Sequence, residues 1–199
     1  MSLIDWLIFW LAIGAHVPLV LGTFRQKNDR SQTFVTWILY FSLDIITFFS
    51  AIETEKDSSF VILFGFSVGS FIMSLILFYQ KKIKWTKLET VIISLVIICI
   101  YLFKSSGPYW ALIFGIISES IIGVYLIIQT WQRPKVKYNF TAYIIFLIVS
   151  ILATINAEDW SIPKVGYPLC ETILNIIIIM PLIKKWRRKR IKTKKLKMA

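Results

Sequence analysis

The chain has 199 residues, 57% of them hydrophobic and 17% charged, with a mean hydropathy of +0.70 and a formal net charge of +12. Soluble domains carry about 25% charged and about 45 to 50% apolar residues, so the composition is that of a membrane protein. Roughly seven spans of about 20 residues use up the length and exclude an appended catalytic domain.

Apolar windows predict membrane helices at Ile4 to Thr23, Thr33 to Ile52, Phe60 to Tyr79, Leu88 to Phe103, Tyr109 to Thr130, Phe140 to Asn156 and Tyr167 to Ile183. Helices satisfy their backbone groups internally, whereas a closed barrel would need shorter segments of alternating polarity. The first window has no basic region ahead of it and no Ala-x-Ala-like site behind it, so it is expected to be retained as a span. It carries the sole histidine, His16, two residues before Pro18. The second carries Trp37 and Asp44, the third Gly65, Gly69 and Ser70, and the fifth Glu119 between two serines. The fourth is the shortest and plainest and is expected to hold no buried ionisable group. The sixth carries Tyr143, and the seventh carries Glu171, Asn175 and Pro181. Cys99 and Cys170 both lie in apolar runs, which does not fit an extracellular staple.

Twenty of the 23 Lys and Arg residues follow spans one, three, five and seven, ten of them between Lys184 and Lys197. The alternate separators hold only Lys56, Lys104 and Lys164 among acidic residues. Positive charge stays cytoplasmic, so the amino terminus is expected outside and the carboxyl terminus inside. Trp6, Trp85, Trp110, Trp131, Trp160 and Trp186 fall near predicted interfaces, and Trp10 and Trp37 lie deeper. The basic tail is expected to lie over anionic lipid headgroups rather than on nucleic acid.

A faint internal repeat sets Thr23-Phe24 against Thr130-Trp131 and, past one gap, Phe34 against Phe140. At that constant offset Trp37 meets Tyr143, Tyr40 meets Phe146, Asp44 meets Ser150 and Ala51 meets Ala157. The repeat would relate spans one to three with spans five to seven in the same orientation. Span four then becomes the extra crossing that a parallel copy of a three-helix unit requires.

Two stretches, Pro18-Leu-Val-Leu-Gly-Thr-Phe-Arg-Gln-Lys-Asn-Asp-Arg-Ser-Gln-Thr-Phe34 and Tyr125-Leu-Ile-Ile-Gln-Thr-Trp-Gln-Arg-Pro-Lys-Val-Lys-Tyr-Asn-Phe140, each read as helix end, basic loop and re-entry. With this layout the chain resembles the PQ-loop repeat family, which includes SWEET sugar transporters and the lysosomal cystine and cationic amino-acid exporters. The family's Pro-Gln pair stands here as Pro18-Leu19 and Tyr125-Leu126. The resemblance implies an all-α membrane protein of seven transmembrane helices, two parallel three-helix bundles joined by a linker helix (3+1+3). The corresponding units are residues 1–79, 80–106 and 107–183, followed by a basic cytoplasmic tail at 184–199. It also implies alternating access, with Pro18 as a hinge, and proton-coupled relatives use a membrane aspartate.

Ionisable groups in hydrocarbon cost on the order of 2.5 to 3.5 kcal/mol each, so Asp44 and Glu119 are candidates for a solute or proton pathway. Glu171 sits near the outer end of its span, where hydration accounts for it. His16 is a candidate proton relay, Asn175 a solute hydrogen-bonder, and Trp37 and Tyr143 candidate walls of a site. Pro18 removes a helix hydrogen bond and should kink span one.

Other seven-span classes fit poorly. A retinal protein needs a lysine midway along the last span, and the lysines there, Lys184 and Lys185, lie at its cytoplasmic end. A G-protein-coupled receptor would close span three with an acidic-Arg pair, where this chain reads Phe78-Tyr-Gln-Lys81. One histidine and scattered acids provide no metal site, nucleophile pair or catalytic dyad, so neither an enzyme nor a bound cofactor is expected. The sequence points to a carrier for a small polar solute, proton-coupled through Asp44 or Glu119. The alternative is a non-transporting scaffold or accessory subunit that keeps the shell after losing the hinge motif. Richness in isoleucine and lysine points to a bacterial plasma membrane.

Overall fold

The structure is a computed structural model that describes residues 2–25, 33–54, 59–83, 85, 87–132 and 140–198. The described residues are all-helical: α1 Leu3–Gly14, α2 Val17–Arg25, α3 Phe34–Thr54, α4 Ser59–Tyr79, α5 Lys87–Ser105, α6 Pro108–Gln132, α7 Phe140–Ile155 and α8 Ile162–Met198. Five segments are long and apolar enough to cross a membrane: Leu3–Phe24, Phe34–Thr54, Phe60–Tyr79, Pro108–Tyr125 and Ile162–Ile183. Together they mark the chain as a helical membrane protein. Phe140–Ile155 is a shorter apolar helix.

The first span is two helices rather than one. A capping box starts α1, with Ser2 Oγ accepting from the Asp5 amide at 3.1 Å while Asp5 Oδ2 accepts from the Ser2 amide at 2.6 Å. Four residues beyond Gly14, Pro18 has no N–H for the Gly14 carbonyl and its ring crowds that carbonyl, so regular helix stops and resumes at Val17. The interruption passes through Ala15 and His16, whose amides bond back to Leu11 O and Ile13 O. Between α5 and α6, Gly107 takes a φ of 92°, a conformation a side chain would strain, and Pro108 then occupies the first helical position of α6.

Helix α3 packs along α4, α5 and α6, α4 also packs along α1, and α8 packs along α6 and α7, with α1 bridging to α7. The α1–α4 contact depends on glycine. A Cβ on Gly65 would run into Ala12 Cβ and the Phe9 carbonyl, and one on Gly69 would run into the His16 ring. The close helix approach expected from Gly65, Gly69 and Ser70 is therefore present, since Ser70 also reaches Asp44.

Large apolar side chains cover the outside, among them Trp10, Leu75, Ile97 and Ile117, while His16, Asp44, Thr47, Ser67 and Asn175 are buried. That distribution suits a lipid environment, which solvates apolar surface and leaves polar groups to find partners inside. Many hydroxyls do so on their own helix: Thr47 donates to Leu43 O, Ser67 to Leu63 O, Ser118 to Phe114 O and Ser150 to Phe146 O.

Two expectations for the fourth span need correction. Its helix, α5, has 19 residues and is longer than the 16-residue α7. It also buries an acid: Glu89, 1% exposed, accepts from the Thr36 hydroxyl at 2.5 Å and the Thr33 hydroxyl at 3.1 Å. Thr33 in turn caps α3 by accepting from the Thr36 amide at 3.2 Å. Glu89 lies at the edge of the apolar window, where its first-turn position on α5 and two threonine donors hold it inside.

The last helix also outruns its apolar window. The backbone of α8 continues from Ile183 to Met198, because Lys and Arg are good helix formers and hydropathy alone ended the predicted span. Of the two stretches that carried the family resemblance, residues 26–32 and 133–139 lie outside the described residues. So do the orientation-setting Lys27, Arg30, Lys56, Lys84, Arg133, Lys135 and Lys137, and so do the side chains of the basic tail.

Candidate functional site

A cavity of about 160 Å³ opens among helices α3, α4, α6, α7 and α8 and the α1–α2 break. From the break come His16 and Leu19, and from α3 come Thr36, Trp37, Tyr40 and Asp44. Helix α6 gives Glu119 and Gly123, and α7 gives Tyr143 and Phe146. The candidate residues Asp44, Glu119, Asn175, His16, Trp37 and Tyr143 all line this one space.

The acidic groups come from three helices. Asp44 Oδ2 accepts from Ser70 Oγ at 2.9 Å, and the Asp44 and Glu119 carboxyls stand within hydrogen-bonding reach of each other. An ionised carboxylate is an acceptor only, so a hydrogen bond between these two requires one shared proton. Glu119 is 7% exposed and its Oε1 has no hydrogen-bond partner among the described residues. Glu171 completes the set on α8. It was expected to sit hydrated at the outer end of its span; instead it lines the cavity, with Asn175 Nδ2 donating to its backbone O at 2.8 Å and its Oε2 at 3.3 Å. The signal for it was the four-residue spacing to Asn175, which puts both on one face of α8.

Aromatic rings form a connected wall. His16 meets the Trp37 ring at 6.0 Å and the Phe146 ring at 5.0 Å, Phe146 meets Phe66 at 5.3 Å, and Phe66 meets Tyr167 at 6.3 Å. His16 Nδ1 lies 3.0 Å from Ala12 O; a carbonyl only accepts, so Nδ1 carries the hydrogen, and in the neutral form of the ring Nε2 is the acceptor. The helix break is what frees this arrangement, since the histidine sits in the interruption that Pro18 causes.

No family model, curated protein or solved structure matches the chain. What the site does must therefore be argued from its geometry. Two pairs at the constant repeat offset, Trp37 with Tyr143 and Tyr40 with Phe146, line the cavity together. Asp44 lines it as well, while its counterpart Ser150 is buried elsewhere and bonds its own helix.

Sequence reasoning missed Tyr40, Ser70, Tyr167 and Glu171 as lining residues. Nearly every face of these helices is apolar, so hydropathy does not tell the rotation of each helix about its axis. Polar contacts also gather at the two ends of the bundle. At one, Asn156 Nδ2 donates to Asp5 Oδ1 at 3.0 Å; at the other, the Phe34 amide donates to Lys82 O at 2.9 Å. Cys99 is buried, and Cys170 Sγ lies 2.8 Å from Ser120 Oγ.

Proposed function

We propose that the protein is a seven-span carrier that moves a small polar solute by alternating access, with the cavity as its solute site. The observation that carries this is the convergence of Asp44, Glu119 and Glu171 from α3, α6 and α8 on one space that both ends of the chain help to build. Acids retained in a membrane bundle around an open volume are the signature of a solute or ion pathway.

The helices group as two bundles, the α1–α2 segment with α3 and α4, and α6 with α7 and α8, with α5 as the linker of a 3+1+3 fold of the PQ-loop type. Support comes from the offset pairs that line the cavity and from the position of α5 against α3 and α6. Pro18 is the hinge, since the helix break it creates borders the cavity at His16 and Leu19. The proton shared between Asp44 and Glu119 is the coupling proton, exchanged for solute during the cycle. The amino terminus faces outward, and the basic tail lies on anionic headgroups of a bacterial plasma membrane.

The test is solute-driven proton flux in sealed proteoliposomes, across a panel of sugars, amino acids, vitamins and organic cations, with radiolabel counterflow on the same vesicles. The carrier is expected to give counterflow for at least one solute. Silence in both assays, from protein that melts cooperatively, would replace the carrier by a scaffold or accessory subunit.

A further inference from the structure

We infer that the solute of this cavity is a small organic cation lacking a carboxylate, an amine or quaternary ammonium held between the aromatic wall and the acidic side chains of Asp44, Glu119 and Glu171. This rests on the cavity being the solute site and goes beyond it by naming the ligand's chemistry.

The charge of the lining points that way. Four donors at the cavity are engaged within the protein, Ser70 Oγ by Asp44, Thr36 Oγ1 by Glu89, Asn175 Nδ2 by Glu171 and His16 Nδ1 by Ala12 O, while the buried Tyr40 hydroxyl has no partner among the described residues. On the acceptor side the buried Glu119 Oε1 is likewise without a partner among the described residues, and it belongs to one of three carboxyl groups that face the space. No lysine or arginine lines the space among the described residues, so an amino-acid carboxylate would meet three acidic groups and no cation. A sugar would gain nothing from the carboxyl charge.

The aromatic wall supplies the second half of the argument. Trp37, Tyr40, Tyr143 and Tyr167 present rings to the same volume, and ring faces attract ammonium groups most strongly where water is excluded. Size sets the upper limit: about 160 Å³ matches a cavity that takes a benzene-sized molecule, on the order of six to eight non-hydrogen atoms. A bare metal ion fits less well, because among the described residues no three His, Cys, Asp or Glu side chains are arranged to hold one.

The experiment measures binding to the full-length protein in detergent by calorimetry, with three probes of matched shape. Choline carries a trimethylammonium group, 3,3-dimethylbutan-1-ol is its uncharged isostere, and glycine betaine adds a carboxylate to the same cation. Choline is expected to bind at least about tenfold more tightly than the uncharged isostere and the betaine. Glu119→Gln is expected to remove that preference, and the comparison among probes on the native chain stands even if the variant does not fold. Equal binding of choline and its uncharged isostere, tighter binding of betaine, or no binding of any cation overturns the inference. Cation binding without counterflow would leave the ligand class standing and remove the carrier. Counterflow of an uncharged solute by protein that ignores cations would do the reverse.

Discussion

Glu89 and Glu119 sit on neighbouring helices, α5 and α6, and both are buried, yet they are built into the bundle in opposite ways. Glu89 accepts from two threonine hydroxyls, one of which caps α3, so the acid ties the starts of two helices together. Glu119 borders open volume, has Asp44 as its neighbour and leaves one oxygen without a partner among the described residues. A polar group with full partners stabilises a fold; one held short of partners next to a cavity is a candidate for a ligand contact. Burial alone does not distinguish the two acids, whereas the inventory of partners does.

That contrast is sharpest where activity and stability are read separately. Asp44→Asn keeps the shape and the Ser70 contact but changes the charge and proton inventory of the cavity. It is expected to lower solute-driven proton flux by about 100-fold or more while shifting the detergent melting curve little. Equal losses of flux and stability would place Asp44 in the same class as Glu89. Gly65→Val drives side-chain atoms into Ala12 Cβ and the Phe9 carbonyl, neither of which can swing away. The expected cost is about 2 to 3 kcal/mol of stability, with flux falling only as the folded fraction falls. Glu89→Leu strips both threonines of their acceptor and should cost about 1 to 2 kcal/mol, measured by denaturant titration, with flux per folded molecule within about twofold of native.

An exposed acid gives the small end of the scale. In the α7–α8 connection, Lys164 Nζ donates to Asp159 Oδ2 at 2.7 Å and holds that carboxyl down to about 2 from its ordinary 3.8. A lowered folded-state value means the contribution is complete above the ordinary value and is lost as pH falls through about 2. Asp159→Asn should therefore leave the melting temperature at neutral pH almost unchanged, because an exposed ion pair is worth little. Any difference between variant and native chain should shrink further below pH 4.

Much of this was legible in the sequence, and the reasons for the rest are physical. Long apolar runs bounded by charge gave the helices, five of them long and apolar enough to cross a membrane, and Pro18 gave the break in the first. Asp44, Glu119, His16 and Asn175 stood out because polar groups are costly in hydrocarbon, and they converge on one cavity. Glu171 and Glu89 were misjudged because both lie toward span ends, where depth along the helix does not reveal whether a side chain faces lipid, water or a neighbour. Tyr40 and Tyr167 were invisible for a related reason: an aromatic on an apolar helix reads as packing until the helix rotation is known. The continuation of α8 past Ile183 was hidden because hydropathy reports the solvent a helix prefers and is silent on where its backbone stops.

The most direct test of the claim that the acids of the cavity act while Glu89 builds is a pair of neutralisations measured in one preparation. Solute-driven proton flux would be recorded in proteoliposomes containing the native chain, Glu119→Gln or Glu89→Gln, each checked for folding. The account predicts that Glu119→Gln abolishes driven flux while Glu89→Gln, which keeps its acceptor oxygen, stays within about twofold of native. Native flux from Glu119→Gln, or its loss in a folded Glu89→Gln, would contradict it.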